Sequence, residues 1–226
     1  MKDYNQALHY EIFVKEEYAC MKQEILNAKT IFDIGGHMGY FSEWCREIGS
    51  EAEIHYFEPL PFLIEEAMKC LKDDPKIIWN TFGIGAKEEE IRFLINREKT
   101  MQSSSMSSFL NPQGEEMLVQ MKNMKQYLSS LEKGRGNPEL AKKEEVFLED
   151  IVVKMDIEGM EFEVLESWGE EIFERIGAMI MEVHLFDPEK IERYQELKEK
   201  MRQHFPSLEE WISPYNQGIL LVKVTK

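Results

Sequence analysis

The chain has 226 residues and a formal net charge of −16. That length suits one domain with a substantial core, and the charge opposes nucleic acid and anionic membrane surfaces as partners through long-range repulsion. Cys20, Cys45 and Cys70 are odd in number and lack metal-ligand spacing, so reduced, buried thiols of a cytoplasmic protein are expected. Met1 to Gln6 show no apolar run after their charges, and no uncharged stretch nears the ~18 residues of a membrane span. Neither a signal peptide nor a span is expected.

In chain order, residues 10–28 carry irregularly spaced apolar positions and predict a helix that packs on a sheet or covers a cofactor. Thr30 to Ile34 is a β-branched and aromatic run ending at an acid, Asp33. It crosses Gly35-Gly36-His37-Met38-Gly39 into a helix with Tyr40, Phe41, Trp44, Cys45 and Ile48 at helical spacing. This strand, glycine turn and helix let a ligand lie against bare backbone, beside the unpaired N–H groups that open the helix. The dinucleotide fingerprint is not met: His37 stands where its second glycine belongs, and a carboxylate at Asp33 repels phosphate and attracts an ammonium. S-Adenosylmethionine has that ammonium and no phosphate.

Glu53 to Phe57 reads as a second strand, followed by Glu58 and Pro59. Glu58 lies about 20 residues past the glycine turn, where an acid accepts both ribose hydroxyls. Pro61 opens a helix with Ile64, Ala67, Met68 and Leu71 on one face. A third strand, 76–80, runs into Thr81-Phe82-Gly83-Ile84-Gly85, where Phe82 or Ile84 flanks an adenine or belongs to the core. Residues 90–95 alternate partly, as a further strand would, and lead into the hydroxyl-rich cluster 103–108. Within 111–143, Met117, Leu118, Met121, Met124, Tyr127, Leu128 and Leu131 predict an inserted helix, and 133–138 a mobile loop, together a possible lid.

The apolar run 151–155 reaches Asp156 and Glu158, then a helix with Val164, Leu165 and Trp168. Residues 178–184 form a fifth strand, whose alternation puts Glu182 and His184 on one face. Asp187-Pro188 caps the next helix, and 218–224 form a last buried strand. The alternation of strands and helices predicts a single α/β domain with a mainly parallel sheet covered on both faces. Its ligand edge, beyond the carboxyl ends of the strands, gathers Asp33, Gly35, Glu58, Asp156, Glu158 and His184.

Five blocks, residues 31–42, 56–59, 103–105, 154–161 and 181–184, in this order and spacing, resemble the FkbM family of S-adenosylmethionine-dependent methyltransferases. The resemblance spans about residues 30 to 185 and implies a class I, Rossmann-like sheet of seven strands with the last antiparallel. It also implies O-methylation of a small-molecule or sugar hydroxyl. Two departures touch the acceptor side: residues 148–150 run almost directly into strand 151–155, and 111–143 is an insertion. The cofactor set on this reading is Asp33, Gly35, Gly36, His37, Gly39, Tyr40, Phe41, Glu58, Pro59, Phe82 and Gly83. Asp33 and the glycine turn take the methionine portion and Glu58 the ribose. Asp156 serves the methionine amine or the acceptor, and His184, with Asp156 and Glu158, is the catalytic set. A core histidine bound to a backbone carbonyl is the alternative for His184. Asp156, Glu158, Glu182 and His184 gathering a divalent metal is not favoured, since no compact ligand motif is present. The functional alternatives are a non-catalytic adenosylmethionine-binding protein and a nicotinamide-dependent oxidoreductase. No signal assigns an oligomeric state.

Overall fold

A computed structural model describes residues 2–95, 115–132, 149–185, 188–213 and 218–226, those of 2–5 and 94 by backbone alone. Helix α1 (Lys2–His9) runs into a π-helical turn, Tyr10–Val14, then a short 3-10 turn, Ala19–Met21, and α2 (Lys22–Asn27). The single helix expected over 10–28 is thus broken around Glu16, whose φ is 51°. No one face of that stretch could bury all its apolar positions.

The main sheet contains β1 (Thr30–Ile34), β2 (Glu53–Phe57), β3 (Ile77–Asn80), β7 (Ile151–Met155), β8 (Ile176–His184), β9 (Ser207–Ile212) and β10 (Ile219–Thr225). Their order is β3-β2-β1-β7-β8-β10-β9. The first five are parallel, and β10 runs antiparallel between β8 and β9. All five residues of β1 and of β7 are buried, as a parallel strand covered on both faces requires. Along β1, Phe32 and Ile34 face one core cluster, with α5 (Met124–Glu132), α6 (Glu161–Ser167), α7 (Glu170–Phe173) and α8 (Pro188–His204). Ile31 faces the other, with α2, α3 (Tyr40–Glu47) and α4 (Pro61–Leu71).

Beside this sheet stands a smaller one, ordered β4-β6-β5, from β4 (Gly83–Gly85), β5 (Glu89–Ile95) and β6 (Glu115–Asn123). The helix expected from Met117 onward is corrected here: 115–123 is a strand, and only Met124–Glu132 is helical. Val119 and Met121 alternate inward while Leu118 is 59% exposed, a period of two that a helix burying all three would violate. The expected loop 133–138 and hydroxyl cluster 103–108 lie outside the described residues, as does Asp187. Of the cysteines, Cys45 is buried, whereas Cys20 and Cys70 are exposed, against the expectation of burial. No described helix is long and apolar enough to cross a membrane.

One titratable group sits deep in this frame. His55 of β2 is fully buried, with Nδ1 2.6 Å from the Tyr127 hydroxyl and Nε2 3.1 Å from Glu53. Burial lowers its pKa to about 3, so the imidazole stays neutral in the fold while the unfolded chain takes up a proton below about 6.5. Its contribution to stability is complete above pH 6.5 and is lost as pH falls toward 3. In urea titrations across that window, His55→Gln should remove up to about 1.4 kcal/mol per pH unit of the wild-type slope. Identical slopes would show that His55 protonates in the fold.

Candidate active site

A cavity of about 460 Å³ opens at the carboxyl ends of the parallel strands, within the range of small-molecule and cofactor pockets. Its floor is the crossing of two loops. A Cβ on Gly35 would lie 1.8 Å from the Asp156 carbonyl oxygen, and one on Gly36 would lie 2.2 Å from the Tyr56 ring. Only glycine lets the β1 exit press this closely on β7 and β2. Gly35 and Gly36 both donate to the Phe57 carbonyl, and the His37 carbonyl accepts from the Tyr56 hydroxyl.

Glu58, at the end of β2, lines the cavity and is 5% exposed. It accepts from His37 N–H at 3.0 Å and Leu60 N–H at 2.9 Å. Burial lifts its carboxyl to about 7 against those two bonds. Each oxygen keeps a lone pair for a further donor. Burial also lowers His37 to about 4, so its imidazole is neutral beside the turn.

Of the expected cofactor set, Gly35, Gly36, His37, Tyr40, Phe41, Glu58, Pro59 and Gly83 line this cavity. Asp33, Gly39 and Phe82 are not in its lining. Gly39, at φ 81°, packs against Ala67 and Leu71 of α4. Phe82 packs on Phe57 and Tyr127, with the Lys122 ammonium 4.1 Å above its ring, while Ile84 reaches the cavity wall.

Asp33 lies one layer beneath. It is fully buried, accepts from Ser42 Oγ of α3 at 2.7 Å, and is 3.7 Å from the Lys154 ammonium. The cause is register: Asp33 pairs with Lys154 across the β1–β7 ladder, and alternation turns both toward α3. Lys154 also donates to the Gly35 carbonyl at 2.7 Å and stands 3.8 Å from Asp156. Burial disfavours its charge, but Asp156 and Asp33 hold the ammonium above its ordinary pKa. The cation that Asp33 attracts is therefore the protein's own. Lys154 escaped the sequence reading because it sits within an apolar run; the signal that could have found it was one charged residue in an otherwise buried strand.

At the opposite wall, Asp156, Glu158 and His184 offer ligand atoms all within 4.8 Å of one another. The expected alternation of β8 is seen, with Glu182 and His184 on the α3 side. His184 is 1% exposed, its Nδ1 3.0 Å from Glu161 and its Nε2 3.5 Å from Glu158. Burial works against its charge, but the bond and charge of Glu161, with Asp156 and Glu182, raise it to about 9. His184 was expected as a neutral base; in this frame it carries its proton at neutral pH and presents a donor. Burial foremost, then Asp156, lifts the Glu158 and Glu182 carboxyls well above the ordinary range. Glu11, Glu17 and Tyr18, from the turns following α1, also line the cavity, and burial, with Glu11 and Asp156, raises Glu17 to about 7. Glu17 gave no signal in the sequence, and Glu161 stood in the block 154–161 without an assigned role.

The Methyltransferase FkbM domain model matches residues 33–212. The fold is that of the class I methyltransferases. Among solved structures, a candidate rRNA methylase from Clostridium thermocellum is similar at TM-score 0.51 and 12% identity, over 94% of this chain and 96% of that one. An S-adenosylmethionine-dependent O-methyltransferase from Thermotoga maritima gives 0.50 and 10%, over 95% and 65%. Aeropyrum pernix fibrillarin, solved with natively bound S-adenosyl-L-methionine, gives 0.49 and 14%, over 93% and 74%. Among curated proteins nothing matches.

Removing the Lys154 ammonium leaves Asp33 buried without its partner. Lys154→Met should destabilise the fold by about 3–5 kcal/mol in denaturant titration. Adding Asp33→Asn should recover part of that loss; strict additivity of the two would show that they do not interact.

Proposed function

We propose that this chain, which belongs to the FkbM methyltransferase family, methylates a hydroxyl of a small molecule or sugar, with S-adenosyl-L-methionine as its cofactor. One observation carries the reading. A single cavity has the glycine turn with Glu58 at one wall and Asp156, Glu158 and His184 at the other. The cofactor, when bound, supplies a methyl group already activated as a sulfonium, so the protein's tasks are alignment and removal of one proton.

Glu58, fixed by the His37 and Leu60 amides, accepts the ribose hydroxyls on its remaining lone pairs. The backbone of Gly35 and Gly36, which lines the cavity, would hold the methionine portion, and Asp156 its ammonium. Ile84 would flank the adenine. Lys154 supports this floor from below by joining the Gly35 carbonyl to Asp33 and Asp156. The acceptor oxygen enters between Asp156, Glu158 and His184. His184 orients it, and Glu182 beside them takes its proton, burial foremost having lifted that carboxyl above the ordinary range.

Calorimetric titration with S-adenosylhomocysteine, with NAD in parallel, tests the cofactor half: binding of the first and none of the second is expected. Glu58→Ala should weaken that binding by about 1–3 kcal/mol, and unchanged affinity would remove Glu58 from the ribose. For the acceptor half, His184→Ala should spare S-adenosylhomocysteine affinity and lower turnover by about 10²–10⁴ on a hydroxylated acceptor. Transfer of labelled methyl to carbon or nitrogen alone would overturn the assignment to oxygen.

A further inference from the structure

Three donors from two separate strand ends meet at the cavity wall: Asp156 and Glu158 after β7, and His184 at the end of β8. Their spacing in the chain forms no compact motif, yet their ligand atoms lie within 4.8 Å of one another, close enough to surround one ion at ordinary metal–ligand distances. A fully buried carboxylate outside the trio holds them together. Glu161 lies 3.0 Å from Nδ1 of His184 and accepts from the Gly159 amide at 3.0 Å and the Ile157 amide at 3.3 Å. It thereby ties the loop carrying two donors to the third and turns Nε2 toward them, the arrangement found around metal-bound imidazoles.

One carboxylate at this wall also lacks a partner. Glu182 lines the cavity beside the trio and, among the described residues, makes no hydrogen bond or salt bridge. Lys154 reaches Asp156 Oδ2 at 3.8 Å, but its closest bond, at 2.7 Å, is to the Gly35 carbonyl. We infer that Asp156, Glu158 and His184 bind one divalent cation of the Mn²⁺ type, which receives the oxygen of the methyl acceptor. Two carboxylates with one imidazole, which gives up its Nε2 proton when the ion binds, suit such an ion better than an organic ammonium, which has no use for an imidazole lone pair.

The role of the ion rests on the methyltransferase reading. It lowers the pKa of the acceptor hydroxyl. The O–H bond breaks, with its proton passing to Glu182; a C–O bond forms as the S–CH₃ bond breaks; and the sulfur keeps that electron pair as a neutral thioether.

The experiment is a titration of the chelator-treated full chain with MnCl₂, following loss of the free-ion signal by electron paramagnetic resonance. S-Adenosylhomocysteine affinity is measured on the same samples. One bound Mn²⁺ per chain is expected, with affinity lowered by at least about tenfold in Glu158→Gln and His184→Gln and by about 10–100-fold in Glu161→Gln, while S-adenosylhomocysteine still binds. Absence of Mn²⁺ binding in a chain that binds S-adenosylhomocysteine would overturn the cation site and leave the methyltransferase standing. Equal Mn²⁺ affinity in wild type and Glu158→Gln would overturn it too. Should His184→Gln fail to fold, Glu158→Gln, on an exit loop, decides alone. Mn²⁺ binding without any S-adenosylhomocysteine binding would keep the ion and sink the methyltransferase reading.

Discussion

A single buried ammonium organises the catalytic edge. Lys154 reaches across from β7 to the Gly35 carbonyl and to the carboxylates of Asp33 and Asp156. Burying a charge is costly unless it is paired and hydrogen-bonded, and here three groups from two strands meet that need. The same contacts fix the glycine turn against the exit of β7, so the electrostatic and steric requirements coincide at one point. Gly35 lacks a side chain because the Asp156 carbonyl occupies its place, and Lys154 holds both loops in that contact.

From this floor the two walls of the cavity follow. Glu58 stands on β2, one strand to one side of β1, and His184 stands on β8, one strand beyond β7. Their separation is set by strand spacing rather than by loop conformation. Part of the apolar lining is one cluster, in which Phe93 and Met121 of the smaller sheet join Met38, Leu60 and Leu63. Carboxylates crowd the remaining lining, which explains why burial and mutual repulsion push so many of them upward in pKa.

Much of this was legible in the sequence. Apolar runs reaching acids near their carboxyl ends marked β1, β7 and β8, because a strand covered on both faces buries nearly every position and admits a polar residue only with a partner or at the ligand edge. What escaped depended on register and on partners far along the chain. Asp33 reads as a ligand-facing acid until Lys154 is found opposite it in the ladder, and no local pattern discloses that pairing. Residues 115–123 misled because Met117 and Met121 fit a helix as well as a strand; exposed Leu118 resolves the ambiguity only in three dimensions. The strand β9 gave no signal, since an edge strand paired on one side alone needs no continuous apolar run, and Ser207, Glu209 and Glu210 are exposed.

The placement of β10 bears on how the protein is made. This strand pairs with β8 along its whole length, setting Ile219 against His184 and Leu221 against Glu182. Until those late residues emerge from the ribosome, β8 is an open edge carrying Met179, Ile180 and Met181, a template for pairing with another chain. A nascent polypeptide therefore holds its catalytic strand exposed for the time needed to synthesise α8 and β9, and stalled synthesis in that interval would leave a product prone to self-association.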